Sequence, residues 1–239
     1  MKKKSMRKLK TIFAMALIML IFISSPIFSV RHIEITGNST LTTTYILNTM
    51  NIHENKNILY INTRGAKNRL LRNPYVRNVS IERHLPNRII INVQERIARG
   101  YVEDRRLGLF LLIDEYGRVL EVTNSTPSRL PVVVGLRIDG FNVGEILDVD
   151  NDNEFETMII LSQMFARFGL YDIAKLDVSD PSNIQIHVNH INFQFGTIED
   201  ADEKIRHLVA IVAELPSDIR GFVNLTNIRT QAPYFRHLT

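Results

Sequence analysis

Few residues in this chain of 239 are spaced for chemistry. The strongest candidates are Asp148, Asp150, Asp152 and Glu154, whose alternation invites a calcium loop. An EF-hand loop needs glycine at its sixth position and a bidentate glutamate at its twelfth. Counted from Asp148, those positions hold Asn153 and Ile159, so the pattern fails. The same carboxylates suit the first turn of a helix, where the macrodipole favours negative charge. His187 and His190 are three apart, but on a hairpin rather than a helix, with no third ligand in view. Asp114-Glu115 runs into Tyr116-Gly117 and reads as turn chemistry, not as an acid/base pair. Gly135, Gly140 and Gly144 lack the spacing of a phosphate-cradling loop. There is no G-x-S-x-G elbow. The absence of cysteine excludes disulfides, thiolate metal sites and thiol nucleophiles, and fits an exported setting. No catalytic, cofactor or metal residues are therefore expected.

Charge is more informative. Lys and Arg number 29 against 25 acids, a net +4, but the balance is not uniform. Residues 1–30 hold six basic residues and no acid; 31–98 hold ten basic and four acidic; 99–239 hold thirteen basic and twenty-one acidic. A nucleic-acid binder is disfavoured, because the largest block is acidic. From Thr11 to Val30 no residue is charged. Twenty helical residues span roughly 30 Å, the hydrocarbon thickness of a bilayer. The sequence thus predicts a transmembrane helix over 11–30, with residues 1–10 as a short basic cytoplasmic tail by the positive-inside rule. A cleaved leader is the competing reading, kept open by the small residues Ser24, Ser25 and Ser29.

Periodicity gives the elements beyond the anchor. Residues 31–36 alternate as a strand, and Thr42 to Met50 and Asn62 to Arg72 read as short capped helices. Residues 75–83 and 88–95 alternate again around the turn Leu85-Pro86-Asn87. Helix and strand edges here carry Lys67, Arg69, Arg72, Arg77, Arg83 and Arg88. These read as a solvated basic surface, with attraction to anionic lipid as the sharper alternative. Further on, 109–113 and 118–122 form a hairpin around Gly117, 130–135 a short strand and 154–168 a helix stopped by Gly169. Residues 173–178 form a strand, 183–188 and 191–195 a second hairpin, 200–214 a helix and 222–227 a last strand before a polar-aromatic tail.

These segments carry a resemblance. VRHIEITGNSTLTTTYI resembles the opening of a POTRA domain, and NPYVRNVSIERHLPNRIIINVQERIARGYV its second half. LFLLIDEYGRVLEV, LPVVVGL, EKIRHLVAIVAEL and GFVNL resemble, in order, the hairpin, the Leu-Pro step, the late helix and the final strand of the FtsQ/DivIB extracytoplasmic domain. Asn224 departs from the family, which commonly has Asp there. The chain is identified as a member of the bacterial FtsQ/DivIB cell-division family. The fold class so implied is α+β. It comprises an N-terminal transmembrane helix, a β-α-α-β-β POTRA domain over 31–98, and a second mixed α/β domain over 99–239 with an antiparallel-rich sheet.

The resemblance implies a non-enzymatic bitopic scaffold of the divisome, a single-pass type II cell-membrane protein at the septum. Its partners would be small coiled-coil proteins of the FtsL and FtsB/DivIC type and the septal peptidoglycan synthesis machinery, with no cofactor, small-molecule substrate or nucleic acid. A last strand leaves backbone groups open for strand addition if it lies at an edge. The expected partner-binding residues are Phe222, Val223, Asn224, Leu225, Thr226 and Asn227, with Pro233, Tyr234 and Phe235 in the tail. A membrane-anchored exported enzyme or another POTRA-bearing binding module is the alternative. A POTRA-bearing outer-membrane translocator would need a long β-barrel, for which no stretch after residue 98 is suited.

Overall fold

The computed structural model describes residues 2–125, 130–216 and 219–237; Met1 of the basic tail and Leu238-Thr239 of the aromatic tail lie outside them. Contacts divide the chain into two compact units, Met1–Arg96 and Ile97–Thr239.

The first unit opens with helix α1, Lys2–Ile23, rather than with a helix over 11–30. Pro26 cannot continue a helix, since it lacks an amide hydrogen and clashes with the preceding turn. Ser25 instead caps a 3-10 turn over Pro26–Phe28. The Ile23 carbonyl, left without a helical donor, accepts from the Asn57 side-chain amide at 2.7 Å. Phe28 meets Phe22 edge to face at 5.4 Å, and Val30 is fully buried in the core of this unit. Residues 24–30 therefore belong to the folded unit. Among the described residues no helix is long and apolar enough to cross a membrane. The uncharged part of α1, residues 11–23, covers about 20 Å at 1.5 Å per residue.

Strand β1 (His32–Thr36), helices α2 (Thr43–Met50) and α3 (Thr63–Leu70), and strands β2 (Val76–His84) and β3 (Arg88–Glu95) follow. This is the β-α-α-β-β order that periodicity predicts. Thr42 and Asn62 cap the helices, accepting from the amides of Tyr45 and Gly65. The sheet runs β1-β3-β2, with β1 parallel and β2 antiparallel to β3. Ile46, Met50, Ala66 and Leu70 from the helices are buried with Val79, Ile89, Ile91 and Val93 from the sheet.

Glu95 closes this unit. Its carboxylate accepts from the amides of Ser39, Thr40 and Leu41 and from the Ser39 hydroxyl, at 2.7–3.1 Å. Burial alone would raise its pKa, but the amides of Thr40, Leu41 and Ser39 and the Ser39 hydroxyl outweigh it and hold the carboxyl below its ordinary value of 4.5. A depressed carboxylate stabilises fully above its unfolded pKa and loses that contribution as pH falls through the folded one. Glu95→Ala is expected to cost about 1.5–3 kcal/mol, the range for hydrogen bonds to a charged group. In urea melts of the full chain, the loss of stability between about pH 5 and pH 3 should be smaller in Glu95→Gln than in the parent. An identical loss in both would contradict this role.

The second unit contains β4 (Ala98–Asp104), β5 (Leu109–Asp114), β6 (Val119–Thr123), β7 (Val132–Val134), β8 (Ile138–Gly140) and β9 (Asp148–Val149). Helix α4 (Asp152–Phe168) comes next, then β10 (Ile173–Asp177), β11 (Ile184–Val188) and β12 (Ile191–Gly196). Helix α5 (Ala201–Glu214), β13 (Gly221–Asn224) and β14 (Tyr234–His237) complete it. Among the described residues nine strands form one sheet in the order β14-β13-β12-β11-β10-β7-β4-β5-β6, while β8 and β9 pair separately. Three of its pairings are parallel (β10/β7, β7/β4, β12/β13) and the rest antiparallel. Met158 and Leu161 of α4 and Ile205 and Leu208 of α5 share a core with Ile186, Phe193, Phe195 and Val223 of the strands.

Candidate partner-binding site

Strands β11 and β12 alternate strictly. Ile184, Ile186, Val188, Ile191, Phe193 and Phe195 are buried in the core, while Gln185, His187, Asn192 and Gln194 are half-buried on the opposite face. That second face carries a cross-strand row of Lys175, His187, Asn192, Phe222 and Arg236, in register across five strands. The adjacent row is Asp177, Gln185, Gln194, Asn224 and Tyr234. Gln185 and Asn192 are bonded at 3.2 Å, and Lys175 pairs with Asp177 at 3.1 Å. Burial depresses the pKa of His187, as does the neighbouring Lys175 charge; Asp177 opposes them. Phe222 is the apolar member of this otherwise polar surface.

The strand that periodicity reads as the last one does not lie at the edge of the sheet. Phe222 to Asn224 lie in β13, between β12 on one side and β14 on the other. Val223 and Leu225 are fully buried. Thr226 and Asn227 lie outside any strand, in the turn that reverses the chain. The tail after them, expected only as a flank, returns antiparallel and becomes the edge strand: Asn224 pairs with Tyr234, Val223 with Phe235 and Phe222 with Arg236. The signal for β14 is weak in sequence because Tyr234–His237 is short, four residues with one charge and no long apolar alternation.

Asn224 explains the reversal. Its Oδ1 accepts from the Thr226 amide at 2.8 Å and the Thr226 hydroxyl at 2.7 Å, an Asx-type turn. An acceptor oxygen is all this turn requires, and Asn224 supplies it as an Asp carboxylate would.

The aromatic residues of the tail separate by alternation. Phe235 packs against the core, and its ring lies directly over Gly221: a Cβ there would stand 2.2 Å from Phe235 Cε2. Tyr234 keeps 46% of its surface exposed, and Arg236 is exposed too, while Pro233 is half-buried. Tyr234 therefore stands on the open face of an edge strand, with β14 ending the sheet order among the described residues.

The other residues singled out in sequence go to structural roles. Asp114 Oδ1 accepts from the amides of Tyr116 and Arg118, which is turn chemistry. Asp152 and Glu154 lie in the first turn of α4, capped by Asn151. Of the basic residues in the first unit, Arg69 donates to the Thr49 and Met50 carbonyls and Arg83 to that of Ile61. Lys67 binds Asn78, and Arg88 pairs with Glu34. Lys204 has no role that its spacing in the sequence suggests. It is buried within α5, donating to the Thr197 carbonyl at 2.8 Å with its ammonium 5.2 Å from the Phe195 ring centre.

The chain is similar to known proteins along most of its length. Residues 28–96 match the family model described as POTRA domain, FtsQ-type. The chain is similar to the cell division protein DivIB of Clostridium tetani, 31% identical over 213 residues that cover 88% of this chain and 79% of that one. It is similar to DivIB of Geobacillus kaustophilus at 27% over 215 residues, covering 89% and 78%. A solved major extracytoplasmic domain of DivIB from Geobacillus stearothermophilus, in its trans isomer, aligns over 53% of this chain and 99% of its own at 22% identity and a TM-score of 0.33.

Proposed function

Because the chain belongs to the DivIB family of cell division proteins, we propose that it is a non-enzymatic scaffold of the divisome whose edge strand β14 accepts a strand from a small bitopic partner of the FtsL or FtsB/DivIC type. The observation that carries this reading is Tyr234, half-exposed on a terminal strand of the nine-stranded sheet. An edge strand offers unpaired N–H and C=O groups, and strand addition takes its affinity from them. Side chains standing on the open face then set which strand fits. Through such partners the chain would regulate septal peptidoglycan synthesis without performing it. The test is isothermal titration calorimetry of the full chain in detergent with a purified DivIC-type ectodomain. Saturable binding is expected; its absence would count against the proposal.

The same reading places the chain in the cell membrane as a type II protein. Support comes from α1. Phe13, Ile18, Ile21 and Phe22 are 59–71% exposed along an uncharged stretch, an apolar surface that water leaves uncovered only at a cost. Lys8 and Lys10 can extend their ammonium groups to the headgroups while their stems stay in lipid. The basic block before Thr11 favours a cytoplasmic N-terminus. Full-length chain is expected to stay with membranes after alkaline carbonate washing, whereas a chain lacking residues 1–23 is expected in the supernatant. Equal release of both would contradict the anchor.

A further inference from the structure

The acidic run that failed as a calcium loop reappears in a different setting. Glu154 and Asp104 line one cleft of about 530 Å³, at the β4–β7 side of the second unit and away from the pairing edge of β14. Both carboxylates are more than nine-tenths buried, at 6% and 2% exposure. Asp104 Oδ1 is held by the amides of Arg106 and Leu107 at 2.9 and 3.3 Å, with the Arg106 guanidinium at 3.6 Å. Glu154 Oε1 accepts from the Asn151 side chain at 3.1 Å. Among the described residues no group donates to the second oxygen of each, Asp104 Oδ2 and Glu154 Oε2, and both are buried.

Two buried carboxylate oxygens without donors in one cleft are an unusual arrangement. A buried acceptor left unmade loses its hydration and gains nothing in return, and a buried charge is normally paired. The remaining charges of the cleft do not supply the missing donors. Arg137 is turned to Asp150 at 3.5 Å, and five acids line the cleft against three arginines. The cleft therefore favours a cation.

A metal ion fits poorly. Calcium takes six to eight oxygen ligands, and no group of three or more His, Asp or Glu among the described residues is placed to hold a metal. A side-chain cation needs less: two acceptors for its N–H groups and an apolar wall for its stem. Leu136 and Ile138, both nearly buried, form that wall.

We propose that this cleft receives a lysine or arginine side chain of a partner protein, with Asp104 Oδ2 and Glu154 Oε2 as its acceptors. The site is separate from the edge strand, so its failure and the failure of strand addition at β14 are read independently.

The test is a titration of isotope-labelled full chain in detergent micelles with N-acetyl-lysine methylamide and N-acetyl-arginine methylamide. N-acetyl-norleucine methylamide and calcium chloride serve as comparisons. The backbone amides of Arg106 and Leu107, which hold Asp104, report occupancy by their NMR shifts. Saturating shifts with a cationic amide and none with norleucine are expected, weakened at least tenfold in Glu154→Gln and in Asp104→Asn. Thermal melts check that both variants fold; should Asp104→Asn fail to, Glu154→Gln decides. The proposal is overturned by no shift with either cationic amide, by equal shifts with norleucine, by saturation with calcium alone, or by undiminished binding in folded Glu154→Gln.

Discussion

Tyr234→Ala is expected to leave the melting temperature of the chain within about 2 °C of the parent and to weaken binding of a DivIC-type ectodomain by roughly thirtyfold, about 2 kcal/mol. The two halves of that expectation come from the same geometry. Tyr234 is 46% exposed and stands on the open face of β14, so few of its contacts support the fold. A strand added beside β14 would cover that ring, and a buried tyrosine is among the side chains whose truncation costs an interface most. The measurement is a pair of calorimetric experiments, a thermal scan and a binding titration. A large fall in melting temperature would mean the ring supports the fold. Unchanged affinity would mean the partner binds elsewhere.

The second large effect acts on the strand rather than on a side chain. Gly221→Val is expected to abolish measurable partner binding and to cost about 1–3 kcal/mol, the range for overpacking a filled site. A Cβ at Gly221 would stand 2.2 and 2.3 Å from two carbons of the Phe235 ring and 3.0 Å from the Arg236 carbonyl oxygen. The ring can rotate or swing away, but the carbonyl belongs to the backbone of β14. Relief therefore comes from moving β14 off β13, which removes the edge on which the partner strand would form. A double-mutant cycle with Phe235→Ala separates the causes. Removing the ring should recover part of the lost stability, giving coupling well above the few tenths of a kcal/mol of independent sites. Strict additivity would show that Gly221 and Phe235 do not press on each other.

The first unit was largely legible from sequence because its signals are local. Thr42 and Asn62 are capping residues at the starts of α2 and α3, and the alternation of 75–83 and 88–95 marks β2 and β3. What sequence could not give was tertiary. Glu95 was visible as the end of a strand, but its four hydrogen bonds reach residues 39–41, more than fifty positions away. The end of α1 was overrun by an uncharged stretch that continues to Val30. The hydropathy of residues 24–30 suits a bilayer and a protein core equally, and Pro26 with the Asn57 contact decides between them.

In the second unit the hairpins β5–β6 and β11–β12 followed from their turns, but β4 and β14 did not. In β4 the residues Gly100, Tyr101 and Val102 are buried in succession, because the strand lies inside the sheet; two-sided burial erases alternation. For β14 the pairing partner, β13, supplies the order that four residues alone cannot. The candidate site moved for that reason. The residues chosen from sequence, Phe222 to Asn227 with Pro233, Tyr234 and Phe235, are brought together by the reversal at Asn224, but the edge passes from the first group to the second. The acidic run at 148–154 shows the opposite case: its spacing excluded one metal loop, while the orphaned oxygen of Glu154 became apparent only beside Asp104.

Hydrogen exchange at the amides of Tyr234 to His237 tests the central claim most directly, measured on the full chain in detergent with and without a saturating DivIC-type ectodomain. Strand addition at β14 predicts that exchange in this segment slows at least tenfold in the complex, with little change in β6 at the far edge of the sheet. Binding that leaves exchange at 234–237 as fast as in the free chain would contradict it.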